Sequence, residues 1–199
     1  MSISIRSLKE YDAKKVANLH IQGIPTGFIS SLGEDFVASL YKAIAEDENS
    51  FGFVAVEDDD EVLGFVAFSS NLSKLYKHVV LKKGFRFAFI LARRMFSLRV
   101  IKKIIDNILY PSKMKKSGLP DAELLSIVVS SKARGRGLAK QLVEKGLQEC
   151  KTRNISQVKV LVADENQPAN KLYKNSGFNF HSQLDSHGVK SNIYTADLS

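Results

Sequence analysis

Between residues 124 and 153 the hydrophobic period of the chain changes once, and two glycines mark the change. Leu124-Leu125-Ser126-Ile127-Val128-Val129 is a near-continuous apolar run of strand length, which reads as a buried strand. From Gly137 to Arg153 the positions Leu138, Leu142, Val143, Gly146, Leu147 and Cys150 return every three or four residues and make one face of a helix. Val158-Lys159-Val160-Leu161-Val162 is a second strand. A strand–helix–strand unit commits the chain to a mixed α/β architecture. The turn opening the helix is Lys132-Ala133-Arg134-Gly135-Arg136-Gly137. Glycines there let several N–H groups aim at one place, the helix dipole adds positive potential, and three cations surround the spot; such a nest suits a pyrophosphate.

The remainder reads as elements of one domain spanning 1–199, with no linker and no repeat. Ser2-Ile3-Ser4-Ile5-Arg6-Ser7-Leu8 alternates as a strand does. Asp12 is placed as a helix N-cap, with Val16, Leu19, His20 and Gly23 on one face. A loop through Pro25, Thr26, Gly27 and Phe28 leads to a second helix from about Glu34. The runs 51–56 and 62–68, joined by the acidic turn 57–61, form a hairpin. Pro168 to Asn175 is a short helix, followed by strands around 178–180 and 193–196. Hydrophobic residues at 44% and charged residues at 25% exclude a mostly disordered chain.

Cys150 is the single cysteine, so no intramolecular disulfide exists, and none of the four histidines pairs with it at metal-ligand spacing; no metal is expected. The run 87–92 holds six apolar residues before Arg93-Arg94, far short of the roughly 20 a spanning helix needs. A soluble, cytoplasmic protein that is not transmembrane is the expectation.

Net charge is +8, and it is local. No acid lies between Glu61 and Asp106, while Lys74, Lys77, Lys82, Lys83, Arg86, Arg93, Arg94, Arg99, Lys102 and Lys103 do. Segment 74–105 reads as mainly helical, with Phe85, Phe87, Phe89 and Phe96 among the arginines. It is either an extra amphipathic helix on the sheet with a solvated basic face, or a surface for an acidic partner, an anionic acceptor or a membrane.

Two phosphate-binding signatures fail here. No G-x-x-x-x-G-K-[ST] run exists, and the G-x-G-x-x-G pattern breaks at Lys140 and starts too far from the strand. Arg134-x-x-Gly137-x-Ala139 instead fits a Q/R-x-x-G-x-G/A signature. Asn166-x-x-Ala169-x-x-Leu172-Tyr173-x-x-x-Gly177-Phe178 follows it downstream. With these two runs, residues 123–180 resemble the GCN5-related N-acetyltransferase (GNAT) superfamily; the N-terminal half agrees with it in element order.

That resemblance implies a GNAT fold, with a mostly antiparallel sheet splayed at its centre and helices on both sides. It implies transfer of an acetyl group from acetyl-CoA to a primary amine within a ternary complex, without a metal; a small-molecule acceptor is preferred to a protein, with sugar amine, amino acid, polyamine, antibiotic and protein N-terminus all open. Carried over to this sequence, the backbones of Ile127, Val128 and Val129 would meet the pantetheine arm, with the Ile127 N–H at the thioester carbonyl. Arg134, Gly135, Arg136, Gly137, Leu138 and Ala139 would hold the diphosphate, and Asn166 would lie near the cofactor arm. Glu123, six residues before Val129 and expected on the same strand face, would be the general base, and Tyr173 would protonate the leaving thiolate. Pro25, Thr26, Gly27 and Phe28 would wall the acceptor site.

Plainer readings stay open: Glu123 as a solvated residue at a strand entrance, Tyr173 as a packing residue. A longer acyl-CoA or an acyl carrier protein could replace acetyl-CoA. A nucleic-acid-binding or membrane-surface module without catalysis is the rival class, although no nucleic-acid motif is present. A homodimer is the default expectation for assembly.

Overall fold

The computed structural model describes residues 3–57, 61–79, 118–186 and 189–199. Seven strands form one sheet: β1 (Ser4–Ser7), β2 (Ser50–Val56), β3 (Val62–Ser69), β4 (Glu123–Val129), β5 (Gln157–Ala163), β6 (Asn179–Ser186) and β7 (Val189–Asp197). Their spatial order is β1-β2-β3-β4-β5-β7-β6, antiparallel at every junction except β4/β5. The helices are α1 (Ala13–Gly23), the single turn α2 (Phe28–Ser31), α3 (Glu34–Glu46), α4 (Leu138–Thr152) and α5 (Gln167–Asn175), with a further helical stretch at 72–79.

Two apolar layers hold the sheet. On one face Val16, Ala17, Val37, Tyr41 and Ile44 of α1 and α3 pack on Val54, Phe65 and Val128. On the other, Leu138, Leu142, Val143 and Cys150 of α4 pack on Phe51, Phe68, Leu124 and Val160. Strands β2 and β3 are buried along their whole length, which is why both read as continuous apolar runs instead of alternating ones. Close approach of α4 requires Gly146, because a Cβ there would stand 2.0 Å from Phe68 Cε2. Phe68 in turn stacks on Phe51 with centroids 5.3 Å apart.

Among the described residues the expected element order holds, although Asp12 and the last two strands differ from expectation. Asp12 occupies the position before α1, but its side chain makes no capping bond there. Its carboxylate instead receives the Arg6 guanidinium at 2.7 and 2.9 Å and reaches back to the Lys9 N–H at 2.9 Å, which commits both oxygens to the turn before α1. The last two strands run well beyond 178–180 and 193–196 and pair as a hairpin, since one of their faces is solvated and carries little apolar signal. Of the basic segment 74–105, residues 74–79 belong to the helical stretch and the rest lies outside the described residues.

Candidate functional site

The parallel pairing of β4 with β5 ends almost as soon as it starts. Glu123 pairs with Lys159 and Leu124 with Val160, and no further rung joins the two strands. Beyond it β4 follows β3 to Val129, while β5 follows β7 to Ala163. Each strand keeps its outer neighbour, so the sheet parts into a V, and among the described residues no backbone bond joins β4 to β5 beyond the second rung.

A bulge decides which groups these are. Phe68 faces Leu124 and Ala67 faces Ser126, so Leu125 is an extra residue in β4. Before it, the Ala122 carbonyl accepts from Lys159 N–H at 3.0 Å, on the β5 side. After it, the Ser130 N–H donates to the Leu63 carbonyl at 2.8 Å, on the β3 side. Antiparallel bonding alternates along the strand, so Val128 and Ser126 also turn their amides to β3, and those of Ile127 and Val129 point into the V. Ile127 and Val129 thus turn their amides towards the gap between β4 and β5, whereas the backbone of Val128 belongs to the β3 ladder.

The same bulge corrects the expected orientation of Glu123. Ala122, Leu124, Ile127 and Val129 pack towards α4, whereas Leu125 and Val128 pack towards α1 and α3. Glu123 therefore faces the α1/α3 side, opposite to Val129, because one inserted residue reverses the period-two alternation that a count of six assumes. Glu123 is 9% exposed, and its carboxylate lies 3.3 Å from Nζ of Lys159, itself 2% exposed. Nζ of Lys159 also donates to the Pro120 carbonyl. Burial, and behind it the negative charge of Glu123, raises the pKa of the Tyr76 phenol in the helical stretch 72–79. A lone lysine inside Val158–Val162 was the sequence signal for this pair.

At the open end of the V stands the glycine turn. Gly135 and Gly137 have φ of +78° and +74°, and Gly137 is the residue from which α4 starts. Among the described residues a Cβ at Gly135 would meet nothing within 4 Å, and one at Gly137 only Nε2 of Gln141 at 3.8 Å. Backbone conformation, and not crowding by the described residues, thus calls for glycine. Arg134 and Arg136 are exposed around it, Leu138 is buried beneath it and Ala139 is half-buried. Nε of Arg134 donates to the Val129 carbonyl at 3.4 Å, tying the turn to the free edge of β4.

The second arm is built by α5. Asn166 is exposed and caps this helix, its Oδ1 accepting from Ala169 N–H at 3.2 Å. The buried amide that organises the region is Asn170, which the sequence reading passed over. Its Nδ2 donates to the carbonyls of Ala163 and Asn166, at 3.0 and 2.8 Å, and its Oδ1 accepts from Tyr194 Oη at 2.8 Å and Asn192 Nδ2 at 3.0 Å. That knot sets α5 against the end of β5. Tyr173 is buried between Phe178 and Tyr194, and burial pushes its phenol pKa up, so it stays protonated. Its hydroxyl makes no hydrogen bond among the described residues. Burial also pushes the Cys150 thiol up to about 12, which makes it an inert core residue.

Helix α1 supplies the flank. A Cβ on Gly23 would stand 2.3 Å from Cγ1 of Val128, so the end of α1 rests directly on the separated part of β4. The loop with Pro25, Thr26 and Gly27 follows at once, while Phe28, expected in that loop, instead opens the single turn α2, whose Ser30 Oγ donates to the Ile24 carbonyl at 2.6 Å. Elsewhere, a cleft of about 300 Å³ lined by Glu46, Glu48, Glu149 and Arg153 lies at the far end of α3 and α4, away from the V. Among the described residues, no group of three His, Cys, Asp or Glu is placed to hold a metal ion, and no helix is long and apolar enough to cross a membrane.

Comparison with known proteins agrees with this geometry. The family model described as "Acetyltransferase (GNAT) family" matches residues 21–178. The ribosomal-protein-S18-alanine N-acetyltransferase of Escherichia coli superposes with a TM-score of 0.65 at 15% identity, covering 100% of this chain and 95% of that one. An N-acetyltransferase from Staphylococcus aureus Mu50 gives 0.67 at 19% identity, with 100% of each chain covered. Arabidopsis thaliana NAA60, solved in complex with acetyl-CoA, gives 0.63 at 16% identity over 99% of each chain. No curated protein sequence matches.

Proposed function

Since the chain belongs to the GNAT acetyltransferase family, we propose that it carries an acetyl group from acetyl-CoA to a primary amine by direct attack within a ternary complex. The observation that carries this reading is the ladder that stops at Leu124/Val160 beside a helix start with open, left-handed glycines. An extended arm of amides fits the free edge of β4 as a missing strand would, and an anionic diphosphate fits the glycine turn.

In this reading the backbone groups of Ile127 and Val129 pair with the pantetheine amides. The amides of 134–139 hold the diphosphate, with Arg134 and Arg136 at its rim. The Ile127 N–H stabilises negative charge developing on the thioester oxygen; a single donor of this kind is worth about 3 kcal/mol in the transition state. Tyr173 donates its phenolic proton to the departing thiolate. Burial holds the phenol protonated, so the proton is in place when the thiolate forms. Asn166 acts by capping α5 and presenting its N-terminal turn to the arm. Glu123 draws the acceptor ammonium towards the vertex of the V. Its ion pair with Lys159 leaves removal of the proton to another group. The 24–28 loop walls the acceptor.

Two measurements test this. Thermal melts with acetyl-CoA should show stabilisation at micromolar concentration, and none would refute the site. A thiol-release screen over spermidine, glucosamine, kanamycin, a lysine peptide and a peptide with a free alanine N-terminus identifies the acceptor. A small-molecule amine is our reading; acetylation of the alanine peptide alone would move the protein to the substrate class named for the Escherichia coli relative.

A further inference from the structure

The amides of Asn170 and Asn192 and the phenol of Tyr194 are buried together between α5 and β7, where an unpaired polar group is costly. Their orientation is fixed by chemistry. Nδ2 of Asn170 faces the carbonyls of Ala163, Asp164 and Asn166, at 3.0, 3.3 and 2.8 Å, and a carbonyl can only accept. Its Oδ1 therefore faces the two donors, Tyr194 Oη at 2.8 Å and Asn192 Nδ2 at 3.0 Å. Nδ2 of Asn192 also donates to Asp164 Oδ1 at 2.9 Å, and its Oδ1 accepts from Nε2 of Gln183 in β6 at 3.1 Å. The Asn170 amide is fully paired, in one direction to the turn before α5 and in the other to β7, so α5 has one resting place on the sheet.

The placement of Tyr173 depends on that resting place. It stands one turn after Asn170 on the same nine-residue helix, about 4.5 Å along the axis. So short a helix has little stability of its own, and its position comes from what it is tied to. The Tyr173 ring packs on Phe178 and Tyr194 with centroids 5.7 and 6.5 Å apart, and among the described residues no hydrogen bond holds its hydroxyl. The position of that hydroxyl is thus inherited from the helix. Tyr194 meets both parts, Asn170 through its hydroxyl and Tyr173 through its ring.

We propose that Asn170 and Tyr194 are positioning residues for acetyl transfer, their hydrogen bond holding α5 where the Tyr173 O–H meets the departing thiolate. The role rests on the acetyl-transfer reading above, in which Tyr173 is the acid. Asn170 and Tyr194 exchange no proton in it and act through Tyr173. A donor moved by about 1 Å from the atom it serves loses much of its rate. The cofactor, held by β4 and the glycine turn, binds as before. Loss of the anchor is therefore read in kcat and not in binding.

Tyr194→Phe removes one hydroxyl and keeps the ring packing, while Asn170 Oδ1 still receives Asn192. With the amine found by the thiol-release screen, this variant should lose about tenfold in kcat. Its KM for acetyl-CoA and its thermal shift with acetyl-CoA should stay at the wild-type values. Asn192→Ala removes the other donor to Asn170 Oδ1 and should give the same pattern if Tyr194→Phe disturbs folding. A double-variant cycle separates positioning from general weakening of the fold: added to Tyr173→Phe, Tyr194→Phe should lower kcat no further. A kcat within twofold of wild type, a loss by the same factor with and without the Tyr173 hydroxyl, or a raised KM at unchanged kcat would overturn the positioning role alone. Wild-type turnover in Tyr173→Phe, or a wild-type protein that neither binds acetyl-CoA nor acetylates any amine, would overturn the transfer reading and this role with it.

Discussion

Glu123 and Lys159 face each other on the first of the two rungs that join β4 to β5, their charged groups 3.3 Å apart and nearly sealed from solvent. Two rungs are little to hold parallel strands together, and everything beyond them diverges. Breaking a buried ion pair costs more than its formation contributes, because the surviving charge has no water to turn to. The pair therefore resists separation of the strands at the vertex while the open end stays free for a ligand.

Glu123→Gln should destabilise the fold by about 3 kcal/mol in urea denaturation, since the Lys159 ammonium stays buried without its counter-charge. The double variant Glu123→Gln/Lys159→Met should regain most of that loss. A single variant as stable as wild type would mean that the pair does not pin the vertex.

Gly137→Asp should abolish the thermal shift given by acetyl-CoA. It puts a carboxylate over amides that serve an anion, at a φ of +74° that costs a non-glycine residue about 1 kcal/mol or more. Gly137→Asn carries the same backbone cost without the charge and should keep measurable binding. Equal affinities for the two variants would dissociate the turn from the diphosphate.

Tyr173→Phe should lower turnover by about a hundredfold and leave both the melting temperature and acetyl-CoA affinity near wild type. Its ring packing with Phe178 and Tyr194 survives the change, and no hydrogen bond among the described residues is lost. Unchanged turnover would assign the proton to another donor.

His20 makes stability fall with pH. Its pKa of about 4 in the folded protein lies below the unfolded value of about 6.5, so on acidification the unfolded chain takes up the proton first. Folding stability should drop as pH goes from about 6.5 to about 4, by roughly 3 kcal/mol in total, and the His20 contribution should be constant below that. Urea denaturation across this range should give a flatter profile for His20→Gln; an identical profile would show that His20 is not the buried neutral group.

Gly23→Ala should weaken the fold by about 2 kcal/mol, because the new methyl meets Val128 2.3 Å away and both lie in a packed layer. Val128→Ala in the same chain should recover part of the loss. Additive losses in the double variant would show that α1 does not rest on β4 at this point.

The legible parts of the site were those with a local cause. Gly135 and Gly137 announce left-handed backbone at a helix start, and the apolar periods on either side announce a strand and a helix. Asn166, Tyr173 and Phe178 belong to one short helix and its exit, so their spacing is visible along the chain. His20 was visible only as one member of an apolar helix face. Lys159 is a charge inside an apolar strand run, but nothing in the sequence names its partner. Asn170 looked like any polar residue of a short helix, because its hydrogen bonds reach β5, β7 and the turn before its own helix.

By itself, then, the amino-acid sequence determined which elements form, their order, and the anion-ready turn, since helix and strand periods and positive φ are properties of neighbouring residues. Tertiary structure alone decided where β4 leaves β5, that an extra residue at Leu125 turns Glu123 away from Val129, and that Tyr41 and Ser126 converge on Nδ1 of His20. The reason is physical. Strand register, bulges and buried polar partners are set by competition among distant segments for the same backbone groups and the same space, and no local pattern records the outcome.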